Sequence, residues 1–412
     1  MVFYGAGEQA GLLFDDLSKK YHPICFCDSD RKKQGTLFMG LPVFSLEEVR
    51  QKYPDFSIYL TLHDVNKPQV IGFLLESGIT KEQILNYIPV EKYRGCPYIE
   101  DLFIFRSDSI VWCCSDFNKC KSPVIKTEKN VAKNVNNFIS LRNKIIKELK
   151  NSESIPVFSK SCAGCPEIVE KYYKTERKIS FVNYTGFSGC QFKCSYCVEI
   201  KVPQVNLTDF CETFEFLKEH NYLDKKVWVT LSAGEIAVDP NRDKVIETIK
   251  GYNVSIFSNG GIFYDKIEHL LAADSKNSIC VSVDAGTRET FKKIKGVDKF
   301  NEVRKNLKLY SRSGNGNVVL KYIILDGIND NDADIEGFIE LCKETGVRRA
   351  RVARDSTFKG NYKERTINAV VDLLRKMREN NIVNDTVVGY DSLRDIFNKT
   401  DYDRIMERLD RI

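Results

Sequence analysis

At 412 residues the chain is longer than one hydrophobic core usually supports, so two or three domains are expected. Its 62 basic and 57 acidic residues nearly cancel to +5 and are spread along the length, which excludes a concentrated basic footprint; no nucleic-acid partner is expected. No apolar run reaches the roughly eighteen residues of a membrane span, and Met1 to Gly5 enters a strand without a basic leader, so a cytoplasmic protein with no membrane partner is expected.

Residues 1–90 alternate strands and helices: Val2 to Tyr4, a helix over Gln9 to Lys19, Ile24 to Cys27, Ile58 to Leu62 and a helix over Val70 to Ser77. That alternation predicts a parallel sheet with crossover helices, a small Rossmann-like domain. Gly5-Ala6-Gly7-Glu8-Gln9-Ala10-Gly11 stands between first strand and first helix, where glycines let a backbone approach a phosphate. Asp28 ends the second strand, at the place of a ribose-binding acid. The spacing is GxGxxxG, a weak signal by itself.

Over residues 91–176 the pattern changes to short strands, Leu102 to Phe105 and Ser109 to Cys113, and a polar helix over Val135 to Lys150. Over residues 177–385 strands and helices alternate again, with strands at Ile179 to Tyr184, Val227 to Leu231, Val254 to Ser258, Ile279 to Asp284, Val318 to Leu325 and Arg349 to Arg354. Serial βα units of this kind predict an α/β fold, an incomplete (β/α)6 TIM-like barrel. Residues 386–412 are expected to form a C-terminal helical tail.

The 14 cysteines, in a chain expected in a reducing compartment, point to metal or cluster ligation rather than disulfides. Cys25, Cys27, Cys211, Cys280 and Cys342 fall in apolar strand or helix patterns and are expected to be buried as small hydrophobes. Directly after the first barrel strand comes Cys190-Gln191-Phe192-Lys193-Cys194-Ser195-Tyr196-Cys197, a CxxxCxxC loop at the strand end where such barrels place their chemistry. Three thiolates hold three irons of a four-iron cube and leave the fourth open, whereas structural zinc usually closes with four ligands.

This loop, with Tyr196 just before its last cysteine, resembles the radical S-adenosylmethionine (radical SAM) superfamily. The resemblance implies a [4Fe–4S] cluster on Cys190, Cys194 and Cys197 and a cofactor, S-adenosyl-L-methionine, chelated to the open iron. Reductive cleavage to a 5′-deoxyadenosyl radical would then abstract hydrogen from substrate. It also implies a cellular one-electron reductant of flavodoxin or ferredoxin type. Ser232-Ala233-Gly234-Glu235 is similar to the family's GGE motif, making Gly234 and Glu235 candidates for the cofactor's ammonium group. Asn259, in the third strand's polar end, and Ser282 and Asp284, in a segment similar to the family's SxDG motif, are further cofactor-binding candidates. Lys321 on the fifth strand completes the set, and Arg348, Arg349, Arg351 and Arg354 flank the sixth as a candidate fork for a substrate anion.

Cys96, Cys113, Cys162 and Cys165, with Cys114 and Cys120 as substitutes, resemble the ligands of a SPASM or twitch domain, which implies a second, auxiliary cluster; a structural zinc is the alternative. Such domains normally follow the barrel, and this segment precedes it. The leading expectation is an enzyme acting on a peptide or sugar-type substrate. The competing one is a non-catalytic iron–sulfur or zinc protein that senses redox state or scaffolds partners, for which Glu235 and the polar strand ends would have no use.

Overall fold

The computed structural model describes residues 1–64, 66–106, 108–111, 125–151, 168–187, 189–197, 210–313, 317–384 and 397–409. The chain forms two compact units, one of residues 1–97 and 145–177, the other of residues 98–144 and 178–412. The segment 91–176, expected as a unit of its own, is therefore divided between them.

The first unit opens with β1 (Val2–Tyr4), α1 (Glu8–Tyr21), β2 (Cys25–Cys27), β3 (Leu37–Phe38), β4 (Leu41–Phe44), α2 (Leu46–Lys52), β5 (Ile58–Leu60) and α3 (Lys67–Glu76). The sheet order is β3-β4-β2-β1-β5, parallel except for the β3–β4 hairpin. Strand alternation sends Val2, Tyr4, Cys25, Cys27, Ile58 and Leu60 to one core and Phe3, Phe26 and Val43 to the other, as expected of a sheet covered on both faces. Ser45 and Glu48 form a capping box that starts α2.

The glycine turn after β1 is locked from inside. Gly5 has φ +105°, and a Cβ there would meet Leu62 at 2.4 Å. The carboxylate of Asp28 accepts from the amides of Ala6 (2.8 Å) and Asp30 (2.9 Å) and pairs with Lys33 at 3.1 Å. The acid at the end of β2 is thus engaged by its own loop and by the glycine turn after β1.

The chain continues through β6 (Val90–Gly95), α4 (Pro97–Asp101), β7 (Leu102–Arg106), β8 (Ser109–Val111), β9 (Ile125–Lys126), α5 (Val131–Asn151) and β10 (Val169–Lys174). β6 and β10 pair antiparallel within the first unit, and α3 lies on them: a Cβ on Gly72 would fall 2.1 Å from the Tyr172 ring, so only glycine admits that ring.

The second unit adds β11 (Ile179–Thr185), α6 (Phe210–Glu219), β12 (Leu223–Leu231), α7 (Arg242–Ile249), β13 (Asn253–Ser258), α8 (Asp265–Ala273), β14 (Ser278–Ser282), α9 (Arg288–Lys295), α10 (Phe300–Ser313), β15 (Val318–Ile324), α11 (Asp332–Thr345), β16 (Arg349–Arg354), α12 (Glu364–Glu379), β17 (Val383–Asn384) and α13 (Lys399–Leu409). Its sheet runs β17-β16-β15-β14-β13-β12-β11-β7-β8-β9 and, among the described residues, does not close on itself, the open form of a TIM-like barrel. The expected six strands are β11 to β16. The sheet extends beyond them, because the hairpin β7–β8 of the cysteine-bearing segment adds β7 parallel to β11. Of the tail, α13 lies against α12, where Asp401 accepts from the Tyr362 amide and Arg404 donates to the Tyr362 carbonyl.

Parallel partners share a face, so the register sorts this sheet into two surfaces. Val182, Val229, Val254, Ile256, Ile279, Val281, Leu320, Ala350 and Val352 are buried on one. The other carries Asn183, Thr230, Ser255, Ser278, Ser282, Lys321 and Arg351, a polar lining. Cys25, Cys27, Cys211, Cys280 and Cys342 are all buried, as their apolar surroundings predict.

Candidate active site

The CxxxCxxC loop leaves the end of β11 and is fastened at nearly every residue between its cysteines. The amide of Lys193 donates to the carbonyl of Lys295 (2.9 Å) and that of Ser195 to Ile294 (2.8 Å), binding the loop to the last turn of α9. Gly296, the left-handed C-cap of α9, lies so close that a Cβ would meet the Lys193 carbonyl at 2.8 Å. Phe192 is buried edge-on against Phe291, and Cys197 closes a turn by donating to the Cys194 carbonyl at 3.0 Å. The three cysteines are left partly exposed while their neighbours are tied down.

Burial pushes the Cys190 and Cys194 thiols up, and each is pushed further by its fellow cysteines. Asn259 opposes this at Cys190, donating Nδ2 to Sγ at 3.3 Å, and Lys295 opposes it at Cys194. Among the described residues no three His, Cys, Asp or Glu side chains converge on a point where one ion could bind them all. A cube asks for something else, one thiolate on each of three irons, and three mutually interacting thiols on a short loop fit that demand.

Beside the loop, β12 ends in Ala233 (φ +61°) and Gly234 (φ +70°), two successive left-handed residues that turn the chain under the cysteines. A Cβ on Gly234 would come 2.8 Å from Phe187 Cβ and 3.1 Å from the Gly189 carbonyl, which explains glycine there. The next residue, Glu235, donates its amide to Gly189 at 2.8 Å and is only 1% exposed. Its carboxylate accepts from the Asn259 amide (2.6 Å), the Ala237 amide (3.2 Å) and the Ser258 hydroxyl (3.0 Å). Burial pushes this carboxyl up and those donors pull it back. Asn259, held by Glu235, exchanges hydrogen bonds with the Gln191 amide and reaches Cys190.

A second buried acid stands behind Cys194. β14 ends at Ser282, and Asp284, expected to share one side of the strand with Ser282, instead takes φ +60° and turns inward, 0% exposed. One carboxylate oxygen accepts from the Ile323 amide (2.7 Å); the other is shared by the Lys295 ammonium (2.5 Å) and the Tyr196 hydroxyl (2.5 Å), and Lys295 also donates to Tyr196 at 2.8 Å. Burial, then Asp284 and Cys194, push the Tyr196 phenol well above its usual range. The carboxylate expected to bind the cofactor thus takes part in an internal ion pair.

Cys190, Cys194, Cys197, Tyr196, Gly234, Glu235, Asn259 and Asp284 therefore lie in one linked network. Ser282 and Lys321 are paired in register on the polar face, where the Lys321 ammonium and the buried Arg351 guanidinium both stand 5.8 Å from the Phe257 ring centre. Arg354 faces elsewhere, donating to the carbonyls of Phe358 and Gly360. Sequence reading missed Lys295. Its signal was position: it follows Phe291 by one turn on the apolar side of α9, where a lysine needs a buried partner. Of the second cysteine set Cys96 is buried, while Cys113, Cys162, Cys165, Cys114 and Cys120 lie outside the described residues.

Residues 184–342 match the Radical SAM superfamily. A GTP 3′,8-cyclase of Psychromonas ingrahamii is 26% identical over 210 residues, covering 47% of this chain and 57% of that protein. An uncharacterized protein of Methanocaldococcus jannaschii is 28% identical over 212 residues, covering 50% and 66%. The chain thus spans between half and two thirds of the length of these curated relatives. Among solved structures, anSMEcpe with bound AdoMet and Cp18Cys peptide has a TM-score of 0.39 at 17% identity, covering 50% of this chain and 62% of that one. Streptococcus suis SuiB bound to precursor peptide SuiA has a TM-score of 0.38 at 12% identity, covering 70% and 69%. Over residues 184–342, then, the chain is similar to the Radical SAM superfamily.

Proposed function

We propose that this chain cleaves S-adenosylmethionine reductively at a cluster held by Cys190, Cys194 and Cys197, and uses the resulting 5′-deoxyadenosyl radical to abstract hydrogen from a substrate on the polar face of the open barrel. The observation that carries this reading is the Glu235–Asn259–Cys190 chain of hydrogen bonds, which ties the carboxylate of the GGE-like strand end to a cluster ligand. When bound, the cluster supplies the electron and the cofactor supplies the radical. The protein's part is position. Gly234 brings its backbone close under the loop, Asn259 steers Cys190, and Glu235 fixes Asn259 while presenting negative charge toward an ammonium group. Ser282 and Lys321 face the lumen and are the residues there that we assign to polar groups of cofactor or substrate.

The substrate we favour is a peptide or sugar-type molecule; GTP, after the relatives named GTP 3′,8-cyclase, is the first alternative to test. Cys96, Cys113, Cys162 and Cys165 are proposed to hold the auxiliary cluster, and a flavodoxin- or ferredoxin-type protein to deliver the electron. Among the described residues no helix is long and apolar enough to cross a membrane. The test is anaerobic: reconstituted, reduced protein given S-adenosylmethionine should form 5′-deoxyadenosine, and deuterium from the true substrate should appear in it. A fully loaded cluster that forms none would favour the redox-sensing alternative.

A further inference from the structure

We propose that Lys295 and Asp284 are positioning residues that set the reduction potential of the cluster, the ammonium raising it and the carboxylate lowering it. The inference rests on the cluster assignment to Cys190, Cys194 and Cys197. Three observations lead to it.

The pair is sealed: the Lys295 side chain is 1% exposed and that of Asp284 is 0% exposed. Two opposite charges so deeply buried are not a surface ornament, because desolvating them costs more than their attraction returns unless further hydrogen bonds complete the site. Here they do. Asp284 accepts from the Ile323 amide and from Tyr196 as well as from Lys295, and Asn329 donates to the Asp284 carbonyl at 2.8 Å.

The pair also adjoins the ligand loop from two sides. Lys295 receives the Lys193 amide on its carbonyl and grips the Tyr196 hydroxyl with its ammonium, so residues on both sides of Cys194 are held by one side chain and its own backbone.

Finally, the backbone turns to keep the acid there: Asp284 holds φ +60°, the left-handed conformation that glycine, asparagine and aspartate adopt more readily than other residues. Reduction adds a negative charge to the cluster, and fixed charges in a dry surrounding act on it strongly. Removing the carboxylate should therefore ease reduction, and removing the ammonium should hinder it.

The experiment is a potentiometric titration of the full-length reconstituted protein, read by electron paramagnetic resonance, with Asp284→Asn, Lys295→Met and Lys295→Arg. Asp284→Asn suits both the left-handed backbone and the Ile323 bond, so the local turn is preserved in the deciding variant. The expected result is a higher potential in Asp284→Asn, a lower one in Lys295→Met and a value near wild type in Lys295→Arg. A potential equal to wild type in either Asp284→Asn or Lys295→Met, or shifts of the same sign in both, overturns the proposal while the cluster assignment stands. A wild-type protein that assembles no cluster overturns the assignment, and this proposal with it.

Discussion

Two strand ends of this protein, one in each unit, use the same device to different effect. After β1 and β2 a positive-φ glycine turn is tied by a buried carboxylate, Asp28, to a neighbouring amide; after β12 and β13 another positive-φ turn is tied by Glu235 to the Asn259 amide. In the first case every bond of the acid closes on its own unit's loops, and Lys33 neutralises it. In the second the carboxylate is held, among the described residues, by neutral donors, and the chain of hydrogen bonds ends on a cysteine sulfur. Parallel sheets place such acids at their strand ends readily. What makes the second a site is the adjoining ligand loop and a negative charge on which no cation among the described residues is spent.

The strongest way to break this comparison is to remove the ligands. Alanine at Cys190, Cys194 or Cys197 should reduce 5′-deoxyadenosine formation to background, beyond the about 10–100-fold that losing an outer-shell partner costs. Any single variant with full cleavage would sink the assignment. In the triple variant, roughly four irons should remain if the second cysteine set holds a cube of its own. One zinc in their place would instead mark a structural metal.

Much of the barrel was legible because its strands are short β-branched runs with a helix-forming segment after each, and because cysteines at fixed spacing carry chemistry in their identity. The edges were not. β7 pairs beside β11 across some eighty residues of chain, and nothing local in Leu102 to Arg106 distinguishes joining a barrel from starting a separate domain. Asp284 was legible as polar but not as buried, since one left-handed residue undoes strand alternation and reverses where the side chain points. Helical spacing puts its partner Lys295 on the buried side of α9, but the contact joins a helix end to a strand end, and spacing does not name that partner.

Removing Glu235 sharpens the contrast from the other side. Glu235→Ala should weaken S-adenosylmethionine binding by about 10–100-fold while the cluster spectrum persists, since an outer-shell anchor is lost but no iron ligand is. Calorimetric affinity equal to wild type would take Glu235 out of the site. Gly234→Ala should act through the backbone: the left-handed conformation costs a side chain about 1–2 kcal/mol, and the Phe187 contact at 2.8 Å adds a clash. Thermal denaturation should register that loss.

The smallest effect is expected at the acid of the first unit. Asp28→Asn removes the charge that holds the Ala6 and Asp30 amides and Lys33, which should destabilise the N-terminal unit by about 1–3 kcal/mol and leave 5′-deoxyadenosine formation untouched. The pH dependence follows from the direction of its titration. Burial pushes the Asp28 carboxyl up, but the Asp30 and Ala6 amides together with Lys33 outweigh it, and the folded value lies below the ordinary aspartate one. A depressed folded value means that the stabilisation is complete above the ordinary value and fades as pH falls through the folded one. The difference in melting temperature between wild type and Asp28→Asn should therefore be full near neutrality and shrink in acid. A difference that grows in acid, or a loss of cofactor cleavage in Asp28→Asn at neutral pH, would show that the two carboxylates are not divided between holding a loop and serving a site.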